Sequence, residues 1–138
     1  MNDPADGNGP GAGRFLILSG VQLERANREV HCRVQLTRQG RVYNGEAREM
    51  DSQLGRARAA ARATLAAAEQ TVAGTSLGLE GITVVELFSR SYVVASVEAA
   101  RGREFVMLAG LVTLEPTRAL EDAAVLATLR AIDRWIYT

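Results

Sequence analysis

The sequence has 138 residues with 16 basic and 16 acidic side chains, so its formal net charge is zero. This length predicts one compact domain with a substantial core. The balanced charge argues against nucleic acid or an acidic membrane surface as a main partner. All 16 basic residues are Arg, which excludes a Schiff-base lysine and the lysine of a phosphate-binding loop.

The cysteine content and the chain termini indicate a cytoplasmic protein. Cys32 is the only cysteine, so no internal disulfide forms and a reducing compartment is expected. The N-terminus lacks the pattern of a signal peptide, and no apolar stretch approaches the roughly 20 residues that span a bilayer. We therefore expect no contact with a membrane. Residues 1–13, rich in Gly, Pro, Asn and Asp, are predicted to be a disordered leader.

The first half of the folded region predicts three strands and a helix. The strands are expected at 14–24, 29–38 and 41–50. Gly20 lies between apolar residues of the first strand and indicates a bulge. Strict alternation in the second strand predicts one buried face, and Gln39-Gly40 forms the next turn. An Ala-rich helix follows, with Asp51 and Ser52 as capping types and Gly74 as its stop signal.

The second half repeats this order. A linker at 75–78 precedes predicted strands at 79–88, 91–99 and 103–114, with turns at Ser89-Arg90 and at 100–102. Pro116 ends the last strand, and Thr117 is positioned to cap a helix that runs nearly to the C-terminus.

The two halves align along their whole length. The matched segments are Gly20 with Gly81, 30–36 with 93–99, Gly40 with Gly102, Gly45 with Gly110, and Ala63-Thr64-Leu65 with Ala127-Thr128-Leu129. The offset drifts only from about 61 to about 65 residues, which indicates an internal duplication. The predicted fold class is therefore α+β. One domain, 14–138, consists of two pseudo-symmetric βββα units, 14–74 and 79–138, with antiparallel strands and two helices.

Strands of the second unit are apolar on both faces. In the last strand, Val106 and Leu108 oppose Phe105 and Met107. One helix covers only one side of a sheet, so the other side needs a second cover. We predict a homodimer. A monomeric sandwich, in which the other unit buries the same residues, is the alternative.

The sequence contains no constellation that supports catalysis, a cofactor or a metal site. His31 is the only histidine, and the strand alternation places it on a solvent-exposed polar face, away from its neighbour Cys32. The predicted protein is therefore not an enzyme. Arg56, Arg58 and Arg62 oppose the helix dipole, so they mark either an anion or partner contact or a solvated face.

The paired βββα units resemble the C-terminal regulatory domain of 2-isopropylmalate synthase, which mediates allostery and dimerisation. The resemblance covers about 14–137 and includes a glycine near the end of each third strand. It is clearest in the second unit, where an acidic residue precedes an Ala-rich helix that closes near Asp133-Arg134. It implies a non-catalytic domain that dimerises and binds leucine near the helix starts. The ligand residues it implies, by position, are Gly45, Ala47, Asp51, Ser52, Gly110 and Thr117.

Three functional hypotheses follow. The first is a dimeric, non-catalytic binding module that senses a small metabolite or regulates a partner enzyme. The second is a structural assembly or adaptor protein without a small-molecule ligand. The third is an enzyme whose active site forms only across a dimer interface, since such a composite site leaves no local sequence pattern.

Overall fold

The computed structural model describes residues 16–136. The elements are β1 (Ile17–Ala26), β2 (Glu29–Arg38), β3 (Arg41–Met50), α1 (Gln53–Glu69), β4 (Thr75–Leu87), β5 (Arg90–Arg101), β6 (Glu104–Thr113) and α2 (Leu120–Ile136). The strands form two antiparallel sheets, sheet A (β1-β2-β3) and sheet B (β4-β5-β6). The predicted α+β fold with two βββα units is confirmed. The predicted leader, 1–13, lies outside the described residues.

Tight turns connect the strands of each sheet. Gln39 and Gly40 both have positive φ, 52° and 79°, which matches the twist of a two-residue hairpin. In the second unit the turn falls at Phe88-Ser89, with φ of 54° and 60°. The predicted turn at Ser89-Arg90 is therefore wrong by one residue, and Phe88 leaves the strand to which its apolar character assigned it.

A bulge occupies the same place in both first strands. The register shifts between Leu18 and Gly20 in β1 and between Leu79 and Gly81 in β4. The bulge predicted at Gly20 is confirmed, and its repetition at Gly81 follows the predicted correspondence of these two glycines.

The register corrects the alignment of the middle strands. Val34 pairs with Gly45, whereas Ala95 pairs with Gly110. Val34 therefore corresponds to Ala95, and the sequence alignment that matched it with Val97 is wrong. The β5–β6 hairpin is longer than the β2–β3 hairpin. Because the alignment matched the turn glycines Gly40 and Gly102, it displaced the residues of β5 relative to their true counterparts in β2.

The ends of the helices differ in part from the prediction. The Ser52 hydroxyl accepts a hydrogen bond from the Gly55 N–H at 2.8 Å and caps α1, as predicted. The helix ends at Glu69 rather than near Gly74. The second helix begins at Leu120, so Thr117 lies in the preceding turn and does not cap it. The predicted linker 75–78 is the first part of β4.

Each helix packs against its own sheet at a glycine. A Cβ atom on Gly45 would overlap the backbone of Ala63 and Ala67, and one on Gly110 would overlap the backbone of Ala127 and Ala131. Ala63 and Ala127 begin the two matched Ala-Thr-Leu triplets. The two units therefore share the same helix–sheet crossing, in which the missing side chain permits close backbone approach.

The two helices share one core. α1 contacts β2 and β3 and also α2 and β4, while α2 contacts β5 and β6 and also β1. Helix residues in this core are mostly alanines, which allow close approach of neighbouring backbones. Thr64 and Thr128 are fully buried, and each donates its hydroxyl hydrogen to a carbonyl one turn earlier at 2.7 Å. The helices thus fill the space between the inner faces of the sheets, and nothing else between residues 16 and 136 covers the two outer faces.

Candidate functional site

The outer faces of the two sheets differ in chemistry at several equivalent positions. In sheet A these positions hold Gln22, His31, Arg33, Gln35, Asn44 and Glu46. The strand register gives their counterparts in sheet B as Thr83, Tyr92, Val94, Ser96, Ala109 and Leu111. The fold accommodates both sets, so folding alone does not require either.

The outer face of sheet A holds a polar network centred on Glu46. The Nε2 atom of His31 lies 2.7 Å from Glu46 Oε1, and Arg33 Nε lies 4.0 Å from the same oxygen. The hydrogen bond from His31, together with the charges of Arg33, His31 and Arg48, holds the pKa of Glu46 below its usual range. His31 lies on the predicted polar face, but only 11% of its side chain is accessible, so it is not the freely exposed group expected.

A cavity of about 410 Å³ lies on this polar face. Its side chains form two neighbouring cross-strand rows, since Gln22 pairs with Arg33 and Arg33 with Glu46, while Gly20 pairs with Gln35 and Gln35 with Asn44. Gly20 leaves the β1 end of the second row without a side chain. Three strands therefore place amide groups and a compensated ion pair around one opening. We call it the sheet A cavity.

The outer face of sheet B is exposed and largely apolar, with Glu98 as an exposed carboxylate opposite Met107. Its most accessible large side chains are Leu87, Phe105, Met107 and Leu111. Val85, Tyr92 and Val94 lie between them on the same face and are partly exposed. Glu80 accepts a hydrogen bond from the Ser96 hydroxyl at 2.5 Å, which satisfies one of the carboxylates on this face. We call this surface the sheet B apolar face.

The predicted ligand residues do not converge on one site. Gly45 and Ala47 are buried in β3 beneath α1. Gly110 lies against the middle of α2, whereas Thr117 is exposed in the turn before that helix. Ligand binding by these residues stays a prediction.

Asp51 and Ser52 lie together where α1 begins. The carboxylate of Asp51 is 3.3 Å from Arg56 and 3.8 Å from Arg25, and its N–H donates to the Arg28 carbonyl at 2.9 Å. Ser52 already caps the helix. The observed contacts of Asp51 and Ser52 therefore connect sheet A to the start of α1.

Two of the three predicted arginines make internal contacts. Arg56 pairs with Asp51. Arg62 pairs with the Glu49 carboxylate and donates to the Arg48 carbonyl at 3.0 Å. Arg58 is exposed on α1. A contact between these arginines and an anion or a partner stays a prediction.

Cys32 is a core residue. It is fully buried in β2, and burial, with smaller contributions from Glu121 and Asp122, raises its pKa to about 11. Because a thiol in this state is protonated at neutral pH, it is a poor nucleophile. Its position agrees with the buried face that the alternation of the second strand predicts.

The described chain shows neither a metal cluster nor a spanning helix. Between residues 16 and 136, no group of three or more His, Cys, Asp or Glu side chains is arranged to hold a metal ion. Within the same range, neither helix is long and apolar enough to cross a membrane.

Sequence reasoning missed the sheet A cavity. The alternation in β2 predicts one buried face and one polar face, but it does not show that Gln22, Gln35 and Asn44 lie around one opening. The signal that could have revealed the cavity is the comparison of outer-face residues between the two units, which needs the correct strand register. The sequence matches no protein-family model, and no curated protein is similar to it.

Proposed function

We propose that this chain is a non-catalytic, cytoplasmic binding module that forms a homodimer through the sheet B apolar face. The observation that carries the proposal is the apolar character of Val94, Ala109 and Leu111 at positions where sheet A has Arg33, Asn44 and Glu46. A large exposed apolar surface in a water-soluble fold is typical of an interaction site. The second unit would thus supply self-association, while the first keeps a solvated face.

A second copy is the occupant that fits this face best. Two identical, largely apolar surfaces can meet in an isologous two-fold contact, which must also accommodate the exposed Glu98 on the same face. The outer side of a sheet also packs face to face on another sheet at about 10 Å, with side chains interdigitating. Leu111, Met107 and Phe105 project from β6 for such packing.

The area is compatible with a reversible dimer. Three strands of about ten residues cover roughly 33 Å by 14 Å, or about 470 Å² for each copy. Two copies would bury roughly 950 Å² on this projected measure, close to the lower limit of about 1,000 Å² for a specific interface. We therefore expect a dimer that dissociates on dilution.

The non-catalytic assignment is supported by the state of the two side chains that most often act in catalysis. His31 is hydrogen-bonded to Glu46 at 2.7 Å and largely covered. Cys32 is buried, with its pKa raised to about 11. In the proposed dimer the polar outer faces of sheet A lie away from the interface, free to bind a small metabolite or a regulated enzyme.

The alternative is a structural adaptor that dimerises but holds no small molecule. Thermal-shift measurements against amino acids and short-chain acids separate the two, because a ligand that binds the folded state raises the melting temperature in a saturable way. An unchanged melting temperature with every compound favours the adaptor.

Light scattering during size-exclusion chromatography tests the dimer itself. We expect a mass that rises from near 14.8 kDa towards twice that value as micromolar concentration increases. A constant monomer mass throughout would refute the proposed assembly.

A further inference from the structure

We infer that the sheet A cavity is a binding site for an uncharged, polyhydroxylated small molecule of about the size of a monosaccharide. This site is separate from the proposed dimer face and from the helix-start residues discussed above. It occupies the outer face of the first unit, whereas self-association is assigned to the second.

The lining of the cavity is polar on every strand. Gln22 projects from β1, Gln35 from β2 and Asn44 from β3, and all three carry an amide with donor and acceptor atoms. Gln35 Nε2 lies 3.5 Å from Asn44 Oδ1, a long contact that leaves most of their hydrogen-bonding capacity available. A volume of about 410 Å³ lies near the lower end of the range for small-molecule sites.

The charges in the cavity compensate each other. Glu46 accepts from His31 at 2.7 Å and lies 4.0 Å from Arg33, so its carboxylate faces two basic groups. Arg33 is the one cation among the cavity-lining residues and Glu46 the one carboxylate. The formal charges of the lining residues therefore sum to zero, which favours a neutral ligand over a charged one. The groups left for a ligand are the neutral amides.

Side-chain amides and hydroxyl groups are complementary in their hydrogen-bond donors and acceptors. Each hydroxyl can donate one hydrogen bond and accept others, as each side-chain amide offers donors on nitrogen and acceptors on oxygen. Three amides converging on one opening fit a ring of hydroxyl groups better than an apolar ligand, which would leave those amides unsatisfied. Because the cavity is open and its hydrogen bonds replace contacts with water, weak, millimolar affinity is expected.

The comparison between the two units supports a specific role for this lining. Gly20 and Gly81 occupy equivalent bulges, yet the residues opposite them are Gln35 and Asn44 in sheet A and Ser96 and Ala109 in sheet B. The same backbone thus carries two side-chain amides at these positions in sheet A and a hydroxyl and a methyl group in sheet B.

A charge-matched series of sugars tests the inference. We would titrate the full chain with glucose, gluconate and glucosamine, which share a hydroxylated skeleton and differ in charge, and follow the side-chain amide signals in nitrogen–proton correlation spectra. We expect saturable shifts with glucose, concentrated at Gln22, Gln35 and Asn44. The substitution Asn44→Ala should weaken binding about three- to tenfold, since it removes one or two hydrogen bonds.

A second test fills the cavity without removing any polar group and uses one variant with a matched control. A Cβ on Gly20 would meet only the Gln35 side chain, at 3.7 Å, and one on Gly81 would meet nothing within 4 Å. Gly20→Leu should therefore fill the cavity and abolish the shifts, while Gly81→Leu, the matched control in sheet B, should leave them unchanged.

Three results would overturn the inference. These are the absence of saturable shifts with any neutral polyol, glucose shifts that persist in both Asn44→Ala and Gly20→Leu, and tighter binding of gluconate or glucosamine than of glucose. All three readouts are independent of whether the chain dimerises. Unchanged melting temperatures of the variants would show that they remain folded.

Discussion

Leu111 on β6 offers the sharpest test of the proposed dimer face. In the isolated chain 47% of this residue is exposed, so about half of its surface is left to be buried by a partner. Full burial of a leucine side chain contributes about 1.5–3 kcal/mol. Leu111→Ala should therefore remove about 1 kcal/mol from each copy, or about 2 kcal/mol from a symmetric dimer, which raises the dissociation constant about 30-fold.

A charge at the same position should abolish the dimer. Leu111→Arg would place one unpaired guanidinium from each copy in the apolar interface, and burying such a charge without a partner is strongly unfavourable. The matched control is Val42→Arg on β3, because Val42 is 52% exposed on the outer face of sheet A. Neither position contributes to the monomer core, so the free energy of unfolding should change by only about 0.5 kcal/mol.

Sedimentation equilibrium of the four proteins measures these effects. We expect the native chain and Val42→Arg to share one dissociation constant, Leu111→Ala to be about 30-fold weaker, and Leu111→Arg to be monomeric. Equal dissociation constants for all four would show that the sheet B apolar face is not the interface.

Three further predictions follow from the packing and the titrating groups. Gly110→Ala should destabilise the fold by about 1–3 kcal/mol in urea unfolding, because its methyl group would overlap the α2 backbone, whereas Gly81→Ala faces open space and should be neutral; equal losses would remove the packing role of Gly110. The thiol of Cys32 should resist alkylation in the native state and react on unfolding. Because its raised pKa keeps the folded thiol protonated while the unfolded one ionises, stability should fall as the pH rises above the ordinary cysteine range towards 11; rapid native alkylation would argue against burial. The lowered pKa of Glu46 contributes stability above the usual glutamate range that is lost as the pH falls through the folded pKa. His31→Ala should reduce that acid sensitivity, and an unchanged stability–pH profile would contradict the assigned hydrogen bond.

The sequence predicts the elements of the first unit well because their signals are local. The alternation in β2 and the Gln39-Gly40 turn fix the bounds of β2 and β3 as the structure has them. The matched glycines at 45 and 110 also identify the duplication correctly. In both units they are the places where a helix backbone approaches a strand, which explains why the duplication retains them.

Features that depend on longer-range pairing were less predictable. The alignment of 30–36 with 93–99 was wrong because the β5–β6 hairpin is longer than the β2–β3 hairpin, a difference that the sequence of either strand does not reveal. Phe88 was assigned to a strand because its side chain is apolar, but pairing of Leu87 with Arg90 places it in the turn. The contrast between Glu46 and Leu111 emerged only once the strand pairing made them equivalent positions.

The proposed homodimer depends on contact between identical copies through the sheet B apolar face. Isotope-filtered nuclear Overhauser measurements on a mixed sample of labelled and unlabelled chains detect only contacts between copies. We expect cross-peaks between copies from the methyl groups of Val94, Met107 and Leu111, and none from Val42. Intermolecular cross-peaks confined to sheet A, or none at concentrations where light scattering reports a dimer, would contradict it.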